Sequence, residues 1–581
     1  MSEQRNVILA VILSIAILLG YQYFFMKPVP QQAVPPQQPA VSDSAAPAAP
    51  ADVAVAPETA QPKTFRTRDE VVAEGDRVTI ETPRLKGSIS LVGGRIDDLT
   101  LSSYKQTEAP DSPDVTLLSP SGAPKPYFIE IGWSTSDTSL KLPGAQTKWS
   151  ANGAKLTPST PVELRWDNGE GLTFVRTLSV DDRYVFTVTQ RVENASGRDV
   201  TLYPYGLIAR VGLPHLEGYS VLHEGPLGVV DGKLEEVTYE KVKGKPFSAA
   251  TTGGWVGITD KYWLTALLFD QKTQVQTKFS HRDAGGVDRY QVDYLAAGVT
   301  VPSGQAKEVT NRVFAGAKEV KTISAYEQQF GVDKFDRAID FGWFYFLTKP
   351  FFYILDYLYK ILGNFGLAIL GFVVLLRLAM FPLANKSYRS MNAMKRVQPE
   401  LKKLQERHKD DKARLQQEMM ALYKREKANP MSGCLPMLIQ IPVFFALYKV
   451  LFITIEMRHA PFYGWITDLS MPDPTNIFTA FGLIPWTPPE LMHLGVWPLL
   501  MGISMWLLQK MSPTPPDPTQ AKIMQFLPII FTFMLAKFAA GLVIYWTFSN
   551  VLSMLQQYVL LKSDERHRAA AAAQHHHHTK K

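Results

Sequence analysis

The chain has 581 residues, which is too long for a single hydrophobic core and excludes a one-domain protein. Its only cysteine is Cys434, so a globular part at residues 63–330 folds without disulfide bonds. The net charge of +7 is localised, because residues 385–430 carry thirteen Lys and Arg against six Asp and Glu. This basic segment indicates an anionic partner such as lipid headgroups or RNA, or marks the cytoplasmic side of a membrane.

The N-terminus, residues 1–26, is predicted to be a membrane anchor. Residues 7–25 are apolar and follow Arg5, and no small-residue cleavage site comes after them. This pattern favours an uncleaved anchor over a removed signal peptide. Residues 27–62 are rich in Pro, Ala and Gln, and we expect a disordered linker there because so little apolar area is available for folding.

Residues 63–330 have the alternating pattern of β-strands. Val162, Leu164 and Trp166 alternate with polar residues, and Asn168-Gly169 then gives a hairpin turn signal. The alternation resumes after the turn. A large all-β sandwich is the fold class that this pattern predicts.

Residues 331–360 are predicted to form an amphipathic helix at the membrane interface. Aromatic residues crowd this stretch, with charged residues interspersed near its start. Amphipathic aromatic rings are typical of the headgroup level of a bilayer. A helix packed on the β domain is the alternative.

Five further hydrophobic segments predict a polytopic α-helical membrane protein with six spans, counting the N-terminal anchor. Several are short or interrupted by proline, and short spans favour local thinning of the bilayer. The predicted spans are residues 361–383, 434–455, 491–511, 521–538 and 540–561.

The distribution of basic residues predicts that both termini are cytoplasmic. This topology places the β domain and the loop at residues 456–490 outside, and residues 384–433 and the tail at 562–581 inside. The outer loop has a single basic residue, Arg458, whereas the two inner segments are rich in Lys and Arg.

Residues 384–433 are predicted to form a cytoplasmic helical hairpin with a narrow apolar seam. Apolar residues recur at three- and four-residue spacing in both halves, and methionine-rich seams re-pack easily around varied partners. A solvated structural hairpin is the alternative. The candidate hairpin residues are Met391, Met394, Leu401, Leu404, Leu415, Met419 and Tyr423.

Arg377 lies inside the apolar stretch of residues 365–383. A charge at this depth costs roughly 2.5–3.5 kcal/mol on insertion scales, so it needs water or a polar partner. No Asp or Glu occurs near it on the predicted spans, which favours a water-filled groove open to the cytoplasm over an ion pair. Polar residues on the other spans are candidates to line this groove, or alternatively to bond neighbouring helices. They are Gln440, Ser504, Gln525, Ser549 and Asn550.

Five motifs mark the second half of the chain. They are Arg377 followed by Phe381-Pro382, QQEMMALY at 416–423, NPMSGCLPMLIQIPVFFALY at 429–448, QKMSP at 509–513 and GLVIYWTFSN at 541–550. Together they resemble the signature of the YidC membrane protein insertase family. The similarity also extends over the anchor, the linker and the β domain.

The resemblance implies a five-span insertase core in the cell inner membrane, with a hydrophilic groove closed toward the periplasm. It implies a periplasmic β-supersandwich for residues 63–330. The expected partners are nascent membrane proteins, the Sec translocon, membrane lipids and, through the basic hairpin and tail, the ribosome. No cofactor or metal is expected, and no enzymatic activity. Arg377 matches the groove arginine of the family, and we expect Val373, Tyr545 and Trp546 to contact the client, although Val373 and Trp546 differ from the residues of some relatives.

Two other classes of function stay open from the sequence. The supersandwich resembles the sugar epimerase fold, and His215, Glu217, His223 and Glu224 lie close together, so a membrane-anchored carbohydrate enzyme is one alternative. A small-solute transporter is the other, and it predicts inverted repeats that the sequence does not display. The run His575–His578 fits a tag remnant, a metal-binding tract or natural low complexity.

Overall fold

The computed structural model describes most of the chain after residue 65. The predicted anchor and linker lie outside the described residues, as do His215, Glu217 and part of the segment that joins the hairpin to the next predicted span. The described residues are 66–214, 222–408, 411–426, 435–486, 488–489, 492–512 and 518–578.

Twenty β-strands occupy the first half of the described chain. They are β1 (Arg77–Glu81), β2 (Leu85–Ser90), β3 (Ile96–Lys105), β4 (Asp114–Leu118), β5 (Tyr127–Ser134), β6 (Ser150–Ala151), β7 (Lys155–Leu156), β8 (Val162–Asp167), β9 (Leu172–Val180), β10 (Val185–Asn194), β11 (Val200–Val211), β12 (Gly225–Val230), β13 (Lys233–Glu236), β14 (Phe247–Thr252), β15 (Trp255–Thr259), β16 (Trp263–Leu268), β17 (Gln274–Asp283), β18 (Asp288–Ala296), β19 (Val299–Val301) and β20 (Ala306–Ala317).

These strands form two sheets, of eleven and nine strands. The first has the order β14-β17-β18-β11-β5-β3-β2-β1-β7, with β19 beside β11 and β4 beside β3, and the second the order β13-β12-β15-β16-β20-β10-β9-β8-β6. Large aromatic side chains such as Trp255, Phe186, Phe279 and Phe314 are fully buried in one continuous core. The predicted all-β domain is confirmed.

The predicted hairpin turn at Asn168-Gly169 lies between β8 and β9. The side-chain Oδ1 of Asn168 accepts hydrogen bonds from the backbone N–H groups of Glu170 (2.8 Å) and Leu172 (3.0 Å). Gly169 has a φ of +74°, which a residue with a side chain adopts only with strain. The side-chain cap and the glycine together fix the register of the two strands.

Ten helices are described. Short helices α1 (Arg68–Ala73) and α2 (Tyr239–Gly244) belong to the β half, and α3 (Val320–Phe330) follows its last strand. The others are α4 (Tyr345–Leu362), α5 (Phe365–Arg407), α6 (Lys412–Arg425), α7 (Leu435–Ile453), α8 (Val496–Met511), α9 (Pro518–Leu535) and α10 (Ala540–His578), with 3₁₀ turns at Phe335–Ala338, Ile455–Met457 and Ile477–Gly482.

Two boundaries differ from those that the sequence predicts. Helix α5 runs without interruption from the predicted span into the predicted hairpin, through Pro382 and Pro399. Helix α10 likewise continues through the predicted tail to His578. The end of the hydrophobic stretch therefore does not end the helix in either case, because the polar residues that follow also support a helix.

The aromatic helix α4 begins at Tyr345 and not at the start of the predicted segment. One face of it, including Phe352 and Leu355, is buried, and the helix packs against α5 and α7. Rings on the opposite side, such as Phe346 and Tyr357, are exposed. The helix is thus amphipathic, as predicted.

Of the described helices, α5 alone is both long enough and apolar enough to cross a membrane by those two criteria. Shorter apolar helices lie at Ile439–Ile453 and Ala521–Leu535. The number of spans therefore stays a prediction.

Polar contacts near the end of α7 join the β half to the helical half. The carboxylate Oε1 of Glu456 accepts a hydrogen bond (2.9 Å) from the backbone N–H of Val320, the first residue of α3. The Lys449 ammonium of α7 lies 2.8 Å from Oδ2 of Asp340. The helices are thereby held to the β domain near the end of α7.

Candidate functional site

Arg377 on α5 makes its described contacts with a neutral residue. Its Nη2 donates hydrogen bonds to the Ser549 hydroxyl (2.6 Å) and to the Ser549 carbonyl oxygen (3.0 Å) on α10. Arg377 is half-buried and Ser549 is buried. Among the described residues, no carboxylate forms an ion pair with this guanidinium. Ser549 therefore satisfies hydrogen-bond donors of Arg377 without neutralising its charge.

Two further polar contacts reach α10 close to Ser549. Gln440 of α7 donates from Nε2 to the Tyr545 hydroxyl. Asn550 donates from Nδ2 to the Ser504 hydroxyl of α8 (3.1 Å). Residues 545–550 of α10 thus receive polar side chains from α5, α7 and α8. Four of the five predicted polar candidates on the other spans take part in these helix-to-helix bonds.

Gln525, the fifth polar candidate, does not join the others. It is exposed on α9, and none of its described hydrogen bonds goes to the other candidates. Trp546 is half-buried, with its ring 4.9 Å from that of Phe444 and 5.6 Å from that of Phe531. Trp546 therefore packs between α7 and α9.

Val373 and Tyr545 lie in the packed interior, at 0% and 1% exposure. A client segment would reach them only after the surrounding helices moved apart. The exposed apolar side chains on the same two helices are different ones. They are Val374, Leu375, Leu378 and Phe381 on α5, and Val551, Leu555, Tyr558 and Val559 on α10.

A polar extension of the site along α10 was not predicted from the sequence. Gln557 is 1% exposed and donates from Nε2 to the Met511 carbonyl (3.2 Å), which also accepts from the Lys395 ammonium. Ser553 donates to the Ser549 carbonyl (2.8 Å). Ser549, Ser553 and Gln557 are spaced by four residues, a helical-face pattern that was available in the sequence.

The predicted hairpin seam forms between the C-terminal half of α5 and α6. Its centre is a cluster of buried Val397, Leu401, Leu422 and Tyr423. Met394, Leu404 and Met419 pack against that cluster, whereas Met391 and Leu415 are half-buried outside it. An exposed Arg425–Glu400 pair, with Nη2 2.8 Å from both carboxylate oxygens, also links the two helices.

The described residues of the carbohydrate-enzyme alternative have structural contacts. His223 Nε2 lies 3.0 Å from the Pro226 carbonyl oxygen, and burial lowers the pKa of this imidazole to about 4. Glu224 Oε1 accepts from the backbone N–H of Lys261 (3.2 Å). Both contacts are with backbone groups of the β domain.

Comparison with known proteins decides the family. The profile described as the YidC periplasmic domain matches residues 77–354, and the profile described as 60Kd inner membrane protein matches residues 357–567. The membrane protein insertase YidC of Bradyrhizobium diazoefficiens is 50% identical over 97% of this chain and 96% of the relative. Those of Methylobacterium sp. (strain 4-46) and Granulibacter bethesdensis are each 49% identical, over 97% and 96% of this chain and 95% and 97% of the relatives.

The chain belongs to the YidC membrane protein insertase family. It is accordingly an inner-membrane insertase with a periplasmic domain and not an enzyme, which sets aside the carbohydrate-enzyme and transporter alternatives. The two YidC profiles meet between residues 354 and 357, inside α4. The aromatic helix is therefore the connection between the periplasmic half and the insertase half.

Proposed function

We propose that this chain inserts nascent membrane proteins through a hydrophilic groove in which Arg377 is the attracting charge. The supporting observation is the pairing of Arg377 with the neutral Ser549. A cation inside an apolar helix gains most from a partner of opposite charge, and Ser549 supplies none. An acidic residue in the polar flank of a client would supply the opposite charge that Ser549 lacks.

The groove lowers the cost of moving a polar flank through the bilayer. A carboxylate at the centre of the membrane costs roughly 2.5–3.5 kcal/mol on insertion scales. When the client carboxylate pairs with Arg377 partway across the membrane, this free-energy cost is divided into two smaller steps. The client's apolar segment then enters lipid, where its burial drives release at roughly 25 cal/mol per Å² without a nucleotide.

The client leaves sideways along the exposed apolar surfaces of α5 and α10. Leu378 is 64% exposed beside Arg377, and Val551 is 44% exposed two residues after Ser549. These side chains meet the client first. Val373, Tyr545 and Trp546 become contacts later, when the packed helices separate.

The membrane arrangement consists of a five-span core and the N-terminal anchor. Helices α5, α7, α8, α9 and α10 supply the core, with both chain termini cytoplasmic and the β domain periplasmic. The single basic residue at 456–490 and the basic surplus at 384–433 support this orientation. The exposed rings of α4 support a position at the lipid headgroups, in contact with membrane lipids.

Larger clients are handled together with the Sec translocon, and the ribosome is received by the basic hairpin and the tail. The surplus of Lys and Arg at residues 385–430 supports contact with ribosomal RNA, whose phosphates attract such a surface. The tail at 562–581 adds further basic residues on the same side.

Photo-crosslinking of a client arrested on the ribosome tests this path. A crosslinking amino acid is placed at Leu378 or Leu555, and as a matched exposed control at Leu483 in the outer loop, which is 85% exposed. We expect client adducts at the first two positions and only background at the third. Equal yields at all three positions would show that the client does not follow α5 and α10.

A further inference from the structure

A loop of the β domain is fixed against the segment that follows α7. Arg458 donates from Nη2 to the carbonyl oxygens of Lys105 (2.7 Å) and Gln106 (3.0 Å), at the end of β3. The guanidinium also lies over the ring of Trp263, 5.5 Å from its centre. These contacts place Glu108, two residues after Gln106, beside the start of the 456–490 loop.

Two parts of the 456–490 loop are hydrogen-bonded to each other close to Arg458. The backbone N–H of Leu469 donates to the carbonyl of Ala460 (2.9 Å), so Asp468 comes next to His459. Asp468 is only 5% exposed. Its Oδ1 accepts hydrogen bonds from the backbone N–H and the hydroxyl of Ser470, both at 2.7 Å, which orients the carboxylate.

Glu108, His459 and Asp468 consequently meet. One nitrogen of His459 and one carboxylate oxygen from each acid all lie within 4.8 Å of one another. Within the described part of the chain, no Lys or Arg forms an ion pair with either acid, since Arg458 donates to backbone carbonyls. Two carboxylates, one of them buried, thus adjoin an imidazole, and Arg458 is the cation that interacts with Asp468 over a longer range.

One imidazole and two carboxylates are ligands that Zn²⁺ accepts, whereas Ca²⁺ and Mg²⁺ prefer oxygen alone. Tetrahedral bonds of roughly 2.0–2.2 Å place ligand atoms about 3.4 Å apart, closer than the present spacing. Glu108 is exposed, so its side chain is free to change rotamer and move its carboxylate toward the other two ligands. The charge of the ion balances the two carboxylates, and a water completes the fourth position.

We propose that Glu108, His459 and Asp468 bind a zinc ion that joins the β3–β4 loop of the periplasmic domain to the 456–490 loop. The bonds from Ser470 to Asp468 act as the outer shell that holds one ligand in place. The ion links two parts of the chain that are more than three hundred residues apart, and its role is structural.

Zinc binding to the purified full-length chain in detergent tests the proposal. A run of four histidines such as His575–His578 is able to bind Zn²⁺ independently of the proposed site, so all four are replaced by Ala in every sample. Zn²⁺ affinity is measured by competition with a chromophoric chelator, and Co²⁺ absorption reports the geometry of the site. We expect one equivalent of Zn²⁺, and a tetrahedral Co²⁺ spectrum that is lost in His459→Gln.

Single substitutions decide whether the three residues are the ligands. Glu108→Gln and His459→Gln should each weaken Zn²⁺ binding by roughly tenfold or more, and the matched variant His493→Gln, between that loop and α8, should not. Glu108 is exposed, so its substitution leaves the core intact, and thermal unfolding of metal-free samples checks folding. Absence of Zn²⁺ binding in the background chain, or unchanged affinity in Glu108→Gln, would overturn the proposal.

Discussion

Arg377 Nη2 lies 2.6 Å from the Ser549 hydroxyl oxygen, although the two residues are 172 positions apart. This contact keeps a positive charge in the helical core without cancelling it. A client carboxylate can pair with Arg377 only if this charge is not already neutralised, so the partner at position 549 should be neutral.

Replacement of Ser549 by Asp tests whether the uncompensated charge matters. A carboxylate at this position would pair with Arg377, and we expect it to abolish the insertion of a client with an acidic flank. Ser549→Asn, similar in size but neutral, is the control and should retain most of the activity. Protease-protected client in proteoliposomes is the measurement. Equal insertion by both variants would contradict a role for the free charge.

Glu456 predicts a pH dependence of stability. Burial raises its pKa from the ordinary 4.5 to about 7, and Glu319 and Asp356 act in the same direction. Because the folded-state pKa is the higher one, the stability contributed by the protonated side chain is full below pH 4.5 and is lost as the pH rises through about 7.

Glu456→Gln should therefore flatten the fall in melting temperature between about pH 5 and pH 8. The amide stays neutral and keeps an oxygen that accepts from Val320. Thermal unfolding in detergent is the measurement, and Glu240→Gln, at an exposed position, is the control. A melting temperature with the same pH slope in the wild type and in Glu456→Gln would show that Glu456 does not titrate in this range.

The hairpin seam should open when its buried centre is truncated. Leu401→Ala removes apolar contacts worth about 2–5 kcal/mol at buried sites. We expect faster hydrogen exchange across residues 393–425 in this variant. We expect no change in the control Lys402→Ala, because the Lys402 side chain is exposed. Unchanged exchange in Leu401→Ala would mean that the seam does not hold the two helices together.

The Lys449–Asp340 pair predicts a coupling between the β half and α7. The side chains are 14% and 20% exposed, so removal of one partner leaves the other charge poorly solvated. Such losses reach about 3–5 kcal/mol for fully buried pairs. Lys449→Met and Asp340→Asn should each lower the melting temperature, and the double variant should lose less than the sum. Additive losses would indicate that the two residues act independently.

Local patterns predict the β domain well. The alternation around Asn168-Gly169 corresponds to β8 and β9, because alternate side chains are buried at Val162 and Leu164 in β8 and at Leu178 and Val180 in β9, and the turn has its own side-chain cap. The end of α10 is less predictable. The run Ala569–Ala573 has high helix propensity, so the helix persists after the apolar residues end.

Most polar residues of the site are predictable from the sequence, but which of them contact one another is not. Arg377 and Ser549 both stand out as polar residues in apolar stretches, but their contact depends on how α5 and α10 rotate about their own axes. Gln525 has the same sequence signal and is exposed on α9. Polarity alone does not fix which face of an apolar helix packs inward.

Insertion of a short, single-span client with an acidic flank into liposomes that contain only this purified chain is the most direct test. We expect more protease-protected client than in empty liposomes, with activity retained by Arg377→Lys and lost in Arg377→Glu. Yields no higher than in empty liposomes with the folded wild-type chain, or equal yields for all three proteins, would contradict the groove mechanism.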